Sequence, residues 1–237
     1  MFFIPYGTRE DQPRQIFPVV TVLLVLINIV LFGLEAHILA TSGETGLSNF
    51  LNTYAVIPAT ITGGNPLQIG LLTSMFLHAG LLHLLGNMIY LLPFGDNVED
   101  RLGHLRYLVF YILCGLFATF AFILTEPNTT TPLLGASGAI AGVLGGYLAL
   151  HRRGVVKGFL FIVIVFIRVD LPAILFIGYW FIMQLFSSFA SLGGETVEST
   201  SVAFVAHVGG FIAGLILAPI FAASRPKKSV PQSTVYS

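Results

Sequence analysis

The chain has 237 residues, of which 55% are hydrophobic and 9% charged, with eleven basic and eleven acidic residues cancelling to no net charge. Soluble domains carry about 25% charged residues, so this composition excludes a soluble globular protein.

Apolar runs long enough to cross roughly 30 Å of hydrocarbon recur along the chain. They predict spans near residues 17–39, 74–95, 105–124, 135–150, 172–190 and 204–223. The expected fold class is all-α, a polytopic bundle of six transmembrane helices forming one domain over 17–223. A tail over 1–16 precedes it, and a short polar, disordered tail over 224–237 follows. The first span is too long for the apolar region of a signal peptide and lacks a clear small-x-small cleavage site. "GFLFIVIVFI" (158–167) is also apolar, but about ten residues do not span. Arg168, Asp170 and Pro172 then interrupt it. It reads as an interfacial or re-entrant segment leading into a helix that opens with "PAILF", proline suiting a first helical turn.

The neutral total hides an asymmetry. Arg9 and Arg14 precede span 1, Arg101 and Arg106 follow span 2, and Arg152, Arg153, Lys157 and Arg168 follow span 4. Arg225, Lys227 and Lys228 follow span 6, whereas residues 40–73, 125–134 and 191–203 contain no Lys or Arg. With six spans every basic residue falls on one side, which the positive-inside rule makes cytoplasmic, together with both termini. The expected location is a plasma or similar membrane, as a multi-pass protein surrounded by lipid. Cys114 is the single cysteine, so no internal disulfide forms.

Polar side chains within spans are costly and therefore informative. They are Asn28 and Glu35 in span 1, His78, His83 and Asn87 around span 2, Ser137 in span 4, Gln184 in span 5 and His207 in span 6. No Asp lies deep in a span, and neither an internal repeat nor a through-path of ionisable groups is visible, which argues against an ion-coupled transporter or channel. His83 lies 13 residues before Asp96, Ser137 lies 14 before His151, and His207 lies 15 before Ala222. At about 1.5 Å per residue all three sit roughly 20 Å above the inner face, in one layer. His83 and Asn87 in "HLLGN" are i and i+4, on one helix face.

Ser137 sits in "GASGAIAG" near the start of span 4, where free N–H groups and the positive helix end favour a developing negative charge. A serine there, a histidine to take its proton and nearby donors are the parts of nucleophilic acyl transfer. Gly138, Gly142 and Gly146 on span 4, and Gly210 and Gly214 in "AHVGGFIAG" on span 6, form small-xxx-small faces. Such faces permit close helix approach, which would bring His207 to Ser137. Taken singly, each motif also fits plain packing: glycine faces join helices, and a membrane serine or histidine often satisfies a local hydrogen bond. His78 with His83 has neither a third ligand nor an HExxH pattern to suggest a metal.

On these residues the chain resembles the rhomboid family of intramembrane serine proteases. "GASGAIAG" looks like the family's nucleophile motif, "AHVGGFIAG" its histidine motif and "HLLGN" its His-x-x-x-Asn. "VEDRLGHLRYL" and "PAILFIGYWFIMQLF" are also rhomboid-like, and the likeness covers roughly residues 17–223. The resemblance implies Ser137 as nucleophile, His207 as base, and His83 and Asn87 as oxyanion-stabilising residues. It implies a Ser-His dyad, single-pass or other transmembrane proteins as substrates, and no metal, organic cofactor or nucleic acid. Two features depart from the pattern. The aromatic residue that many relatives carry four positions after the serine is Ala141 here, leaving His207 to be held by packing or a hydrogen bond. The Trp-Arg pair found in the first outer loop of some members is absent from 40–73. A catalytically silent rhomboid-like protein that binds membrane segments is the alternative; such proteins typically lose the serine or histidine, and both are present here.

Overall fold

The computed structural model describes residues 2–10, 14–162, 165–192 and 203–224. The polar tail beyond 224 and most of the loop expected over 191–203 lie outside the described residues. Helix α1 (Val19–Tyr54) runs on past residue 39, where the first span was expected to end, and kinks at Gly43, whose φ of 65° breaks the helical path. Short helices α2 (Pro58–Thr62) and α3 (Gly70–Thr73) and a 3-10 turn (Ser74–Phe76) follow. Then come α4 (Leu81–Leu102), α5 (His104–Thr125), α6 (Ser137–Leu150), α7 (Ala173–Leu192) and α8 (Ala203–Ala223).

The fold is a helical membrane bundle, as the composition requires. Helices α1, α5 and α8 are each long and apolar enough to cross a bilayer, and Gly70–Phe76 with α4, bent by 89°, makes a fourth candidate. Among the described residues, length and apolarity alone therefore account for three or four of the six expected crossings. Helix α6 has only 14 residues, about 21 Å at the helical rise. Its last residues lie at the end of the bundle that holds the N-terminal segment, so its first residue, Ser137, sits below the opposite surface.

Helix α6 is wedged between α5 and α8, and its residues Gly138–Tyr147 are all buried. The close approach to α8 is made mainly by the other partner's glycines. A Cβ on Gly210 would strike the Gly138 carbonyl oxygen, and one on Gly214 the Gly142 carbonyl oxygen. From α6 the reciprocal glycine is Gly145, against the Phe211 carbonyl. Gly138 and Gly142 turn their missing side chains mainly towards α5, where a Cβ would lie 2.6 Å from Ala118 Cβ and from Cys114 Sγ, respectively, although the one on Gly142 would also come within 3.1 Å of the Gly210 carbonyl oxygen. The glycine faces do join spans 4 and 6, and the tightest approaches to the other helix's backbone are at Gly145, Gly210 and Gly214.

A three-stranded antiparallel sheet caps one end, in the order β1 (Phe2–Arg9), β2 (Val155–Ile162), β3 (Val165–Pro172). Residues 158–162 and 165–167 thus belong to two paired antiparallel strands, and Phe2–Arg9, from the expected tail, supplies the third. Val, Ile and Phe favour a pleated, half-buried surface. One face packs on the bundle: Phe3 stacks on Gly158 and lies 5.0 Å from the Phe176 ring. On the other, Phe159 meets Tyr6 at 4.9 Å and the Arg168 guanidinium at 5.7 Å.

Below the sheet, acidic side chains of α4 hold the entry to α1. Glu99 is fully buried and accepts from the Val20 N–H at 2.9 Å, the Thr21 N–H at 2.8 Å and the Thr21 hydroxyl at 2.7 Å; His104 Nδ1 lies 2.6 Å away. Asp100 accepts from the Gln15 and Ile16 N–H groups. The first N–H groups of a helix have no partner within it; here a carboxylate from another helix serves, at the end where the dipole favours negative charge.

Candidate active site

Ser137 opens α6, following Gly135, whose φ is 124°. Its place is set by the outer segments. Val56 and Leu133 exchange backbone hydrogen bonds at 3.1 and 2.7 Å, and the Gly135 N–H donates to the Ser74 carbonyl at 2.8 Å. The chain therefore enters α6 along a fixed track, with the first N–H groups of the helix unclaimed by helical bonding.

Ser137, His207, His83 and Asn87, the four residues singled out in the sequence, line one cavity of about 320 Å³ together with Gly135 and Trp180. The depth match inferred from residue counts thus corresponds to a shared cavity. A Cβ on Gly135 would lie 2.8 Å from His83 Cε1, 3.0 Å from His83 Nε2 and 3.6 Å from Ser137 Oγ. Gly135 therefore keeps open the space between serine and His83, and its positive φ is one that glycine adopts without strain. No hydrogen bond joins Ser137 to His207; His207 Nε2 is buried and has no hydrogen-bond partner among the described residues. Such bonds are commonly loose before substrate binds.

His207 is held at its other nitrogen. Nδ1 lies 2.7 Å from Gln184 Oε1, from α7. An amide oxygen only accepts, so Nδ1 carries the proton and Nε2 keeps its lone pair. The Trp180 ring stands 6.0 Å from the imidazole, and Phe204 packs edge-on at 6.3 Å. His207 is thus held by one hydrogen bond and two ring contacts, none of which comes from Ala141. The sequence marked Gln184 as an amide in an apolar helix without giving it a task, and it gave none to Gly135.

Chemically, the cavity offers a hydroxyl at a helix N-terminus, an imidazole with one nitrogen not hydrogen-bonded among the described residues, and the polar side chains of His83 and Asn87 in the same lining. Hydroxyl, base and donors within one partly enclosed space suit attack on a carbonyl and stabilisation of the oxyanion that results.

The fold and this cavity define a polytopic membrane protein with a polar site enclosed by its helices. The family model of the Rhomboid domain matches residues 67–224, more than half of the chain, and the chain belongs to the rhomboid family. Among curated proteins it is similar to the putative rhomboid protease YdcA of Bacillus subtilis, 32% identical over 56% of this chain and 63% of the relative. It is also similar to the rhomboid protease GluP of the same species, 40% identical over 35% of this chain and 16% of the relative. RHOMBOID-like protein 5 of Arabidopsis thaliana is 37% identical over 33% of this chain and 26% of the relative. Each match covers less than two thirds of the relative's own length.

Proposed function

We propose that this protein is an intramembrane serine endopeptidase that cleaves other membrane proteins within or beside their transmembrane segments. Ser137 Oγ attacks the scissile carbonyl as His207 Nε2 takes its proton. The oxyanion is met by the Ser137 backbone N–H and by the His83 and Asn87 side chains. His207 then delivers the proton to the leaving amine. Water, activated by the same nitrogen, hydrolyses the acyl-enzyme and restores the serine. The Nδ1 partner is a neutral amide, so the arrangement is a dyad with an orienting glutamine and lacks the buried carboxylate of a triad.

The observation that supports this reading most is the 2.7 Å contact between Gln184 Oε1 and His207 Nδ1: with the proton on Nδ1, the Nε2 lone pair remains for Ser137, which lines the same cavity. The basic residues gathered at the sheet end support an orientation with that end, and both termini, in the cytoplasm. The test is cleavage of a single-pass reporter by the purified protein in liposomes, compared with Ser137→Ala. Turnover by the parent and none by the variant supports the reading. Binding of the reporter without cleavage by either protein would instead identify a silent, segment-binding relative.

A further inference from the structure

Three polar residues form a line of contacts from α1 to the cavity, and two of them lie outside it. Glu35 projects from α1 and is only 4% exposed, with both carboxylate oxygens 3.2 Å from the His78 backbone nitrogen. His78 lies in the connection between the 3-10 turn and α4, where the chain bends by 89°. Backbone N–H groups at such a bend lack helical acceptors, and a buried one needs a partner. Glu35 supplies it from a different helix. Beyond the bend, His78 Nε2 lies 2.9 Å from Asn87 Nδ2, and both side chains are buried. An amide nitrogen only donates, so Nε2 accepts and the His78 proton sits on Nδ1. One Asn87 N–H is thereby engaged by His78, which does not line the cavity, while Asn87 itself does.

We propose that Glu35 and His78 are positioning residues for Asn87: Glu35 holds the bend through the His78 N–H, and the His78 ring fixes the rotation of the Asn87 amide. The inference rests on the reading of Asn87 as an oxyanion donor. Rotation matters because an asparagine amide has two unlike faces. Turned over, it would present Oδ1, an acceptor, to a developing negative charge. With the His78 proton on Nδ1, Nε2 can only accept, so a turned-over amide would lose this contact. The carboxylate of Glu35 is expensive to place within an apolar span, and a fixed bend carrying the His78 ring is what its burial accomplishes.

The experiment is a set of variants in liposomes with a single-pass reporter, reading kcat and KM separately, with unfolding temperature as the check on folding. His78→Phe removes the acceptor and is expected to lower kcat about 10- to 100-fold, up to the lower end of what losing one oxyanion donor costs, with KM within about twofold. The double variant with Asn87→Ala is expected to be no slower than Asn87→Ala alone, since both act through one amide. Glu35→Gln, whose oxygen still accepts the His78 N–H, is expected to retain far more kcat than Glu35→Leu. Multiplied losses in the double variant, or a KM rise at unchanged kcat, would overturn the proposal. Equal damage from Glu35→Gln and Glu35→Leu would do the same. The side-chain amide resonance of Asn87 gives a readout independent of turnover: His78→Phe should shift it, and an unmoved signal overturns the contact. If Asn87→Ala keeps parent kcat, the oxyanion reading fails instead, while the resonance still decides whether His78 orients the amide. Where His78→Phe does not fold, the two Glu35 variants and the same resonance carry the test.

Discussion

Gln184 Oε1 accepts a hydrogen bond from His207 Nδ1 at 2.7 Å, tying α7 to α8 beside the cavity. The bond selects one tautomer and one ring orientation. Gln184→Leu keeps most of the volume but removes the acceptor, so the imidazole is free to rotate and to carry its proton on either nitrogen. A misplacement of about 1 Å can cost on the order of 100-fold in rate. We expect kcat to fall about 10- to 100-fold in Gln184→Leu, with unfolding temperature little changed. Parent-like kcat in a folded sample would show that ring packing alone aligns His207.

Ser137→Ala removes one oxygen and should abolish cleavage while leaving the protein folded. His207→Ala should be as inactive, and the double variant no worse, because the two act as one unit. A fluorophosphonate reagent should label the parent at Ser137 and leave the serine variant unlabelled. Additive losses would assign His207 a structural part instead.

The glycine contacts predict a graded series. A methyl at Gly214 meets the Gly142 carbonyl oxygen, a backbone atom that moves only if the helices part. Overpacking of this kind costs about 1–3 kcal/mol, and it acts between the helices that carry Ser137 and His207. Gly214→Ala should therefore lose both activity and unfolding temperature. Gly33→Ala, where nothing lies within 4 Å of the added atom, should change neither. Cleavage rate and thermal unfolding on the same preparations separate the two outcomes.

Glu99 predicts a loss of stability far from the chemistry. Glu99→Ala strands two backbone donors and a hydroxyl at the start of α1. Leaving buried donors unpaired costs about 1–3 kcal/mol each in unfavourable cases. Thermal unfolding should show a large downward shift for Glu99→Ala and a smaller one for Glu99→Gln, which still accepts. No shift in either would mean that water replaces the carboxylate there.

The sequence made the cavity legible because helical spacing converts directly into depth and face. His83 and Asn87 share a face at i and i+4, and counts from the basic end put His83, Ser137 and His207 at one level. The sheet was harder to see. An apolar run of ten residues does not declare helix or strand by periodicity, although the Val, Ile and Phe content of "FLFIVIVFI" leans to strand. Its partner, Phe2–Arg9, lies some 150 residues away, and no local pattern records such a pairing. Contacts set by tertiary placement, Gln184 on His207 and Glu35 on His78, were visible only as polar residues that an apolar helix does not need. The glycine repeats were legible as close packing, but which neighbour each glycine faced depended on α6 being enclosed on two sides.

The bond from the Val20 N–H to Glu99 spans 79 residues of sequence, and that separation orders events during synthesis. The donors at the head of α1 leave the ribosome long before their acceptor. Until α4 has followed, the first turn of α1 must find its hydrogen bonds in interfacial water or lipid headgroups. Arrival of Glu99 exchanges those loose partners for a fixed one. The same step seats Asp100 on the Gln15 and Ile16 amides. The first helix thus enters the bilayer with its starting point unsettled, and the fourth sets its final height from behind.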